Sequence, residues 1–144
     1  MLKILIAEDD LMIADMVEEV LVTFGYEVCG IARTVAEAVA LSLRHKPDLA
    51  IFDLRLADGG FGTEIAAQLG GLGTLGVLYA SGNIPHGTPL SAADGHACLT
   101  KPYRAADLLR SLEIVADIVA TGTALPPFPR GFRVLSPATS ADGG

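Results

Sequence analysis

The run Ile4-Leu5-Ile6-Ala7, closing on Glu8-Asp9-Asp10, decides the fold, and Leu49-Ala50-Ile51-Phe52, closing on Asp53, repeats its form. Each is a short, unbroken apolar stretch of the kind a strand shows when both of its faces are buried. Each stops on carboxylates. After the first, apolar residues recur at Ile13, Met16, Val17, Val20, Leu21 and Phe24, the spacing of an amphipathic helix, with Asp15, Glu18 and Glu19 turned to water. Gly25 stands where a helix C-terminus prefers glycine.

The alternation continues along the chain. Tyr26 to Ala32 reads as a second strand, and Thr34-Val35-Ala36-Glu37 is a capping box opening a helix to about Arg44. A loop with Gly59, Gly60 and Gly62 leads into a third helix near Thr63 to Leu69. Gly76 to Ala80 and Ala97 to Thr100 are strands four and five, and Arg104 to about Ala120 is the last helix. Strand alternating with helix predicts an α/β domain: a doubly wound, five-stranded parallel sheet in the order 2-1-3-4-5. Pro85, Gly87, Pro89 and Gly95 crowd the stretch before strand five, so the fourth helix is expected to be weak or short. The division expected is a domain over 1–120 and, over 121–144, a Pro/Gly-rich tail that is an extended arm or a disordered end.

Composition excludes several classes. At 144 residues, with 51% hydrophobic and 19% charged, the chain has material for one core and is not intrinsically disordered. Mean hydropathy is +0.47, yet charges interrupt every apolar run before it reaches the ~18 residues of a membrane span. The start lacks the pattern of a signal peptide, and a cytoplasmic location is expected. Net charge is −7, and the 10 Lys and Arg are scattered, which argues against direct nucleic-acid binding. Cys29 and Cys98 have no metal-ligand spacing and read as small buried hydrophobes. Lying on strands two and five, they are too far apart for a disulfide.

In such a sheet, ligands bind beyond the carboxyl ends of the strands. Those ends carry Glu8-Asp9-Asp10, Asp53, Ser81-Gly82 and Thr100-Lys101-Pro102. Asp10 stands where the N-cap of the first helix belongs. Two carboxylates ~4 Å apart repel by roughly 4 kcal/mol at an effective dielectric near 20, a cost that a divalent cation removes. An oxygen-only set without His or Cys selects Mg²⁺, which also takes a phosphate oxygen. Lys101 supplies a point charge for a second phosphate oxygen, and Ser81 a hydroxyl for a third. The rim suits a phosphoryl group carried on a carboxylate nucleophile.

From Leu2 to Ala120 these motifs resemble the receiver domain of two-component response regulators, a flavodoxin-like fold. The resemblance rests on the acidic pair Glu8-Asp9, Asp53, Ser81 and Lys101-Pro102. It implies phosphoryl transfer from a histidine kinase or phosphotransfer protein onto Asp53, with Mg²⁺ held by Glu8, Asp9, Asp53 and the backbone carbonyl of Arg55. Lys101 would pair with the phosphoryl group, Ser81 with Gly82 would form the switch, and Pro102 is the candidate for a cis peptide bond. Such a domain is not an enzyme beyond its own phosphorylation and dephosphorylation. Three residues before the Lys, where the family usually has an aromatic, stands Cys98, while Tyr79-Ala80-Ser81-Gly82 is similar to the Phe-Ala-Thr-Gly loop of a stand-alone subgroup.

A single-domain regulator acting through protein contacts is therefore expected, with the Gly82–Gly95 loop as its moving element. The last helix carries an apolar arc of Leu108, Leu112, Val115, Ala116 and Val119, widened by Leu109, Ile114 and Ile118. With the apolar tail Leu125 to Pro129, it is expected to make a homodimer or kinase contact. The alternative is a phosphorylation-independent binding module, or a phosphate sink, on the same fold. A nucleotide-binding enzyme would need a glycine-rich loop where Glu8-Asp9-Asp10 stands. A phosphatase resembling the haloacid dehalogenases would need an Asp where Arg55 stands.

Overall fold

The computed structural model describes residues 2–82 and 90–135. Its strands are β1 (Lys3–Ala7), β2 (Glu27–Ala32), β3 (Leu49–Phe52), β4 (Gly76–Ser81), β5 (Ala97–Thr100) and β6 (Phe132–Val134). Its helices are α1 (Leu11–Thr23), α2 (Val35–His45), α3 (Thr63–Gln68) and α4 (Ala105–Thr121). The sheet order is β2-β1-β3-β4-β5-β6, parallel from β2 through β5.

The pleat sorts each apolar run onto two faces, which is why the runs are unbroken. Ile4, Ile6, Leu49, Ile51, Leu78 and Leu99 join α1 and α4 in one core layer. Leu5, Ala7, Ala50, Phe52, Val77 and Tyr79 join α2 and α3 in the other. Helix starts follow their caps. Asp10 accepts from the amides of Met12 and Ile13 at 3.0 and 3.3 Å, and Thr34 Oγ1 accepts from the Glu37 amide at 3.1 Å. The Glu37 carboxylate reaches back to the Arg33 amide at 2.8 Å, one residue beyond the partner a capping box predicts. Asp10 is thus spent on helix capping.

Three expectations are corrected. Among the described residues the sheet has six strands, not five, because part of the tail returns as β6, antiparallel to β5 in the register Ala97↔Val134, Cys98↔Arg133 and Leu99↔Phe132. This arm is anchored at several points. Arg110 donates to the carbonyls of Leu125 and Pro127 at 2.7 and 3.1 Å, Phe128 stacks on Phe132 with centroids 5.7 Å apart, and Leu135 enters the α2/α3 core layer at 5% exposure. β5 is therefore not an edge. Second, Val119 leaves the α4 core stripe at 39% exposure, while Leu109 and Ile114 are buried within the fold. The wide arc is mostly covered by the protein itself. Third, Cys29 is only half-buried; Cys98 is buried, and both thiols are free.

Between β4 and β5, residues 90–95 form a turn, with no helix among the described residues. The rest of that connection, most of the expected moving loop, lies outside the described residues, as do 136–144 of the tail.

Candidate functional site

Hydrogen bonds that extend the ladder past the strand ends fix the backbone of the rim. The Glu8 amide donates to the Ala32 carbonyl, Asp53 to Ala7 and Lys101 to Ser81, each at 2.9 Å. Glu8, Asp9 and Asp53 each bring one carboxylate oxygen to within 4.8 Å of the others. Lys101 Nζ lies 2.6 Å from Glu8 Oε1 and 3.2 Å from Asp53 Oδ2, bridging β1 and β3 from beyond β5. The Lys101–Pro102 peptide bond is cis.

Electrostatics follow from this crowding. Glu8 is 5% exposed, and burial pushes its pKa up to about 7, opposed by the Lys101 hydrogen bond and reinforced by the Asp53 carboxylate. For Lys101, burial disfavours the charge, but its bond to Glu8 and the field of Asp53 outweigh this and raise its pKa above the ordinary value. Lys101 stays charged. Among the described residues one ammonium faces three acidic groups, so there the cluster is short of positive charge. An oxygen-only set with surplus negative charge fits a hard divalent cation such as Mg²⁺.

Ser81, 7% exposed, ends β4 in register with Thr100, beside Lys101. Gly82 is exposed next to it, and among the described residues a Cβ there would meet only Lys101 Cβ, at 4.0 Å. Arg55, two residues past Asp53, pairs with Phe61 in an isolated antiparallel bridge that closes the loop after β3. Of the expected residues, Glu8, Asp9, Asp53 and Lys101 converge closely, and Ser81 lies beside Lys101 at the end of β4.

Gly62 and Tyr79 carry no task in the sequence reading, yet they shape this rim. A Cβ on Gly62 would collide with the Asp53 carbonyl oxygen and stand 3.2 Å from Tyr79 Cε1. Only glycine lets the start of α3 close against the Asp53 backbone. The available signals were a glycine just before a helix and a single aromatic in an otherwise aliphatic strand.

Comparison with known proteins agrees with the geometry. The response regulator receiver domain family matches residues 4–113. The transcriptional regulatory protein PdtaR of Mycobacterium tuberculosis is 34% identical over 126 residues, covering 85% of this chain and 60% of PdtaR. The phyllosphere-induced regulator PhyR of Methylorubrum extorquens is 40% identical over 68 residues, 46% of this chain and 26% of PhyR. The chain therefore spans about 60% of the length of PdtaR and about a quarter of that of PhyR. Among solved structures, a CheY-like receiver domain from Methanospirillum hungatei superposes with a TM-score of 0.74 at 28% identity, covering 85% of this chain and 99% of that one. The non-phosphorylated HemR receiver domain of Leptospira biflexa gives 0.71 at 27% identity, covering 89% and 100%. Fold, rim and matches agree, and the chain belongs to the response regulator receiver domain family.

Proposed function

We propose that this receiver is a phosphoacceptor switch, taking a phosphoryl group on Asp53 from a histidine kinase or phosphotransfer protein and signalling through protein contacts. The observation that carries the reading is the position of Lys101, whose ammonium sits on Asp53 Oδ2 while bracing Glu8. An Asp53 carboxylate oxygen attacks the phosphorus of a phosphohistidine; the new P–O bond forms as the P–N bond breaks, and the imidazole leaves with its electron pair and takes up a proton. Lys101 then pairs with the phosphoryl oxygens instead of the bare carboxylate, and the Ser81 hydroxyl donates to another of them. Glu8, Asp9 and Asp53, with the Arg55 carbonyl, would hold Mg²⁺, which supplies charge neutralisation for the incoming phosphoryl group. The only catalysis proposed is the domain's own phosphorylation and dephosphorylation.

A cytoplasmic setting accords with a phosphohistidine donor; among the described residues no helix is long and apolar enough to cross a membrane. A homodimer through α4 and the tail would use Val119, Leu125, Phe128 and Val134, the large apolar side chains left exposed there. The test is incubation with acetyl phosphate and Mg²⁺, read by intact mass. One phosphoryl group is expected on the parent chain and none on Asp53→Asn. Equal incorporation on both would overturn the assignment, and none on either would favour a phosphorylation-independent binding module.

A further inference from the structure

Tyr79 is fully buried in β4, two residues before Ser81. It pairs in register with Phe52, the residue preceding Asp53, on one side and with Cys98 on the other. Its ring stands edge-on to Phe52, centroids 6.1 Å apart. Two glycines border opposite edges of the ring. Gly62 meets Cε1, as described above, and at Gly95 a Cβ would lie only 2.7 Å from Cε2. The ring therefore fills the space between the backbone that follows Asp53 and the backbone that leads into β5.

Its hydroxyl ties down the second of these. Tyr79 Oη donates to the Asp94 carbonyl at 2.9 Å, and burial raises the phenol pKa above its ordinary value, so the group remains a donor. The next residues carry the connection outward. The His96 amide donates to the Val77 carbonyl at 2.9 Å, His96 Nδ1 accepts from the Val77 amide at 3.0 Å, and the His96 carbonyl accepts from Leu135 at 2.9 Å. Beside a small Cys98, the Tyr79 ring is the bulky group between the Asp53 loop and the Asp94–His96 segment, and His96 in turn holds Leu135 of the arm. A close-packed ring with no free space on either edge passes on a displacement rather than absorbing it.

We propose that Tyr79 is a positioning residue that fixes the spacing between the Asp53–Gly62 loop and the Asp94–His96 segment, and so couples occupancy of Asp53 to the seating of the β6 arm. This rests on the phosphoacceptor reading and adds a route by which the signal leaves the site. The test uses the full chain with acetyl phosphate and Mg²⁺, following phosphorylation by intact mass and amide hydrogen exchange in peptides spanning 90–96 and 130–135. In the parent chain, exchange in both segments changes on phosphorylation. Tyr79→Phe keeps the ring and loses only the hydroxyl; it should be phosphorylated to the same extent, with the exchange response reduced about two- to tenfold, the factor one net hydrogen bond carries. A hydroxyl with a merely structural role would shift exchange equally with and without phosphorylation. That result, or phosphorylation of the parent chain without a response in these segments, overturns this proposal alone. Absence of phosphoryl incorporation in the parent chain overturns the phosphoacceptor reading and this proposal with it.

Discussion

Leu135→Ala tests whether the arm is part of the domain or merely laid against it. Leu135 is 5% exposed and packs in the layer that holds Val77, Tyr79 and Cys98, while its amide bonds to the His96 carbonyl. The substitution deletes three carbon groups at about 0.8 kcal/mol each and leaves a cavity at the sheet margin, which can partly collapse. The expected loss is about 2–3 kcal/mol, a large share of the ~5–15 kcal/mol that stabilises a typical domain. With a urea slope of ~1.5–2 kcal/mol/M, the unfolding midpoint should fall by about 1–2 M with the slope unchanged. Val134→Ala, at a half-exposed neighbour, should move it by no more than about 0.3 M. An arm that docks only loosely would give Leu135→Ala a shift as small as this control, and the six-stranded description would fail. A second, earlier transition would show that the arm unfolds as a separate unit.

Three further outcomes are expected. Lys101→Ala leaves Glu8 and Asp53 without their ammonium and should cost roughly 1–3 kcal/mol at pH 8, partly restored by millimolar Mg²⁺; a loss that Mg²⁺ leaves untouched would argue against a cation site. Chelating divalent ions should abolish acetyl phosphate labelling of Asp53, and Asp9→Ala should raise the Mg²⁺ requirement at least about tenfold; labelling in excess chelator would sink the Mg²⁺ assignment. Burial lowers the His96 pKa below its ordinary value, and protonated Nδ1 cannot accept from the Val77 amide, so the unfolded chain takes up this proton first. The stability His96 contributes is therefore present above its ordinary value of 6.5 and lost as pH falls below it. Glu8, with its raised pKa, acts in the opposite sense, so the readout is a difference: the gap between parent and His96→Asn midpoints should narrow from pH 7.5 to 5.5, and a constant gap refutes it.

The parts legible in the sequence are those whose cause is local. β1, β3, β4 and β5 announce themselves because burial on both faces forbids a polar residue in the run, and Asp10 and Thr34 mark helix starts because their side chains satisfy orphan amides. The rim was legible for a related reason: carboxylates, a serine and a lysine set at four strand ends have to converge once the strands are parallel neighbours. β6 was not legible. Phe132-Arg133-Val134 is too short for a periodicity and follows a proline-rich stretch, and it is a strand only because β5 offers an unpaired edge beside Arg110. The task of Tyr79 was hidden likewise, since nothing local says that Gly62 and Gly95 will flank one ring.

The order β2-β1-β3-β4-β5-β6 has a consequence for how the chain is made. After the first hairpin-free pair, every later strand joins the same growing margin in the order of its synthesis. Until the arm arrives, β5 is that margin, with Ala97, Cys98 and Leu99 presenting an apolar parallel strand that another chain could extend. The roughly 35 residues from Thr100 to Leu135 take about 2–7 s to translate at ~5–20 residues per second, which is the interval during which that strand stands uncovered. β6, arriving last, turns a templating margin into a three-residue one bearing Arg133.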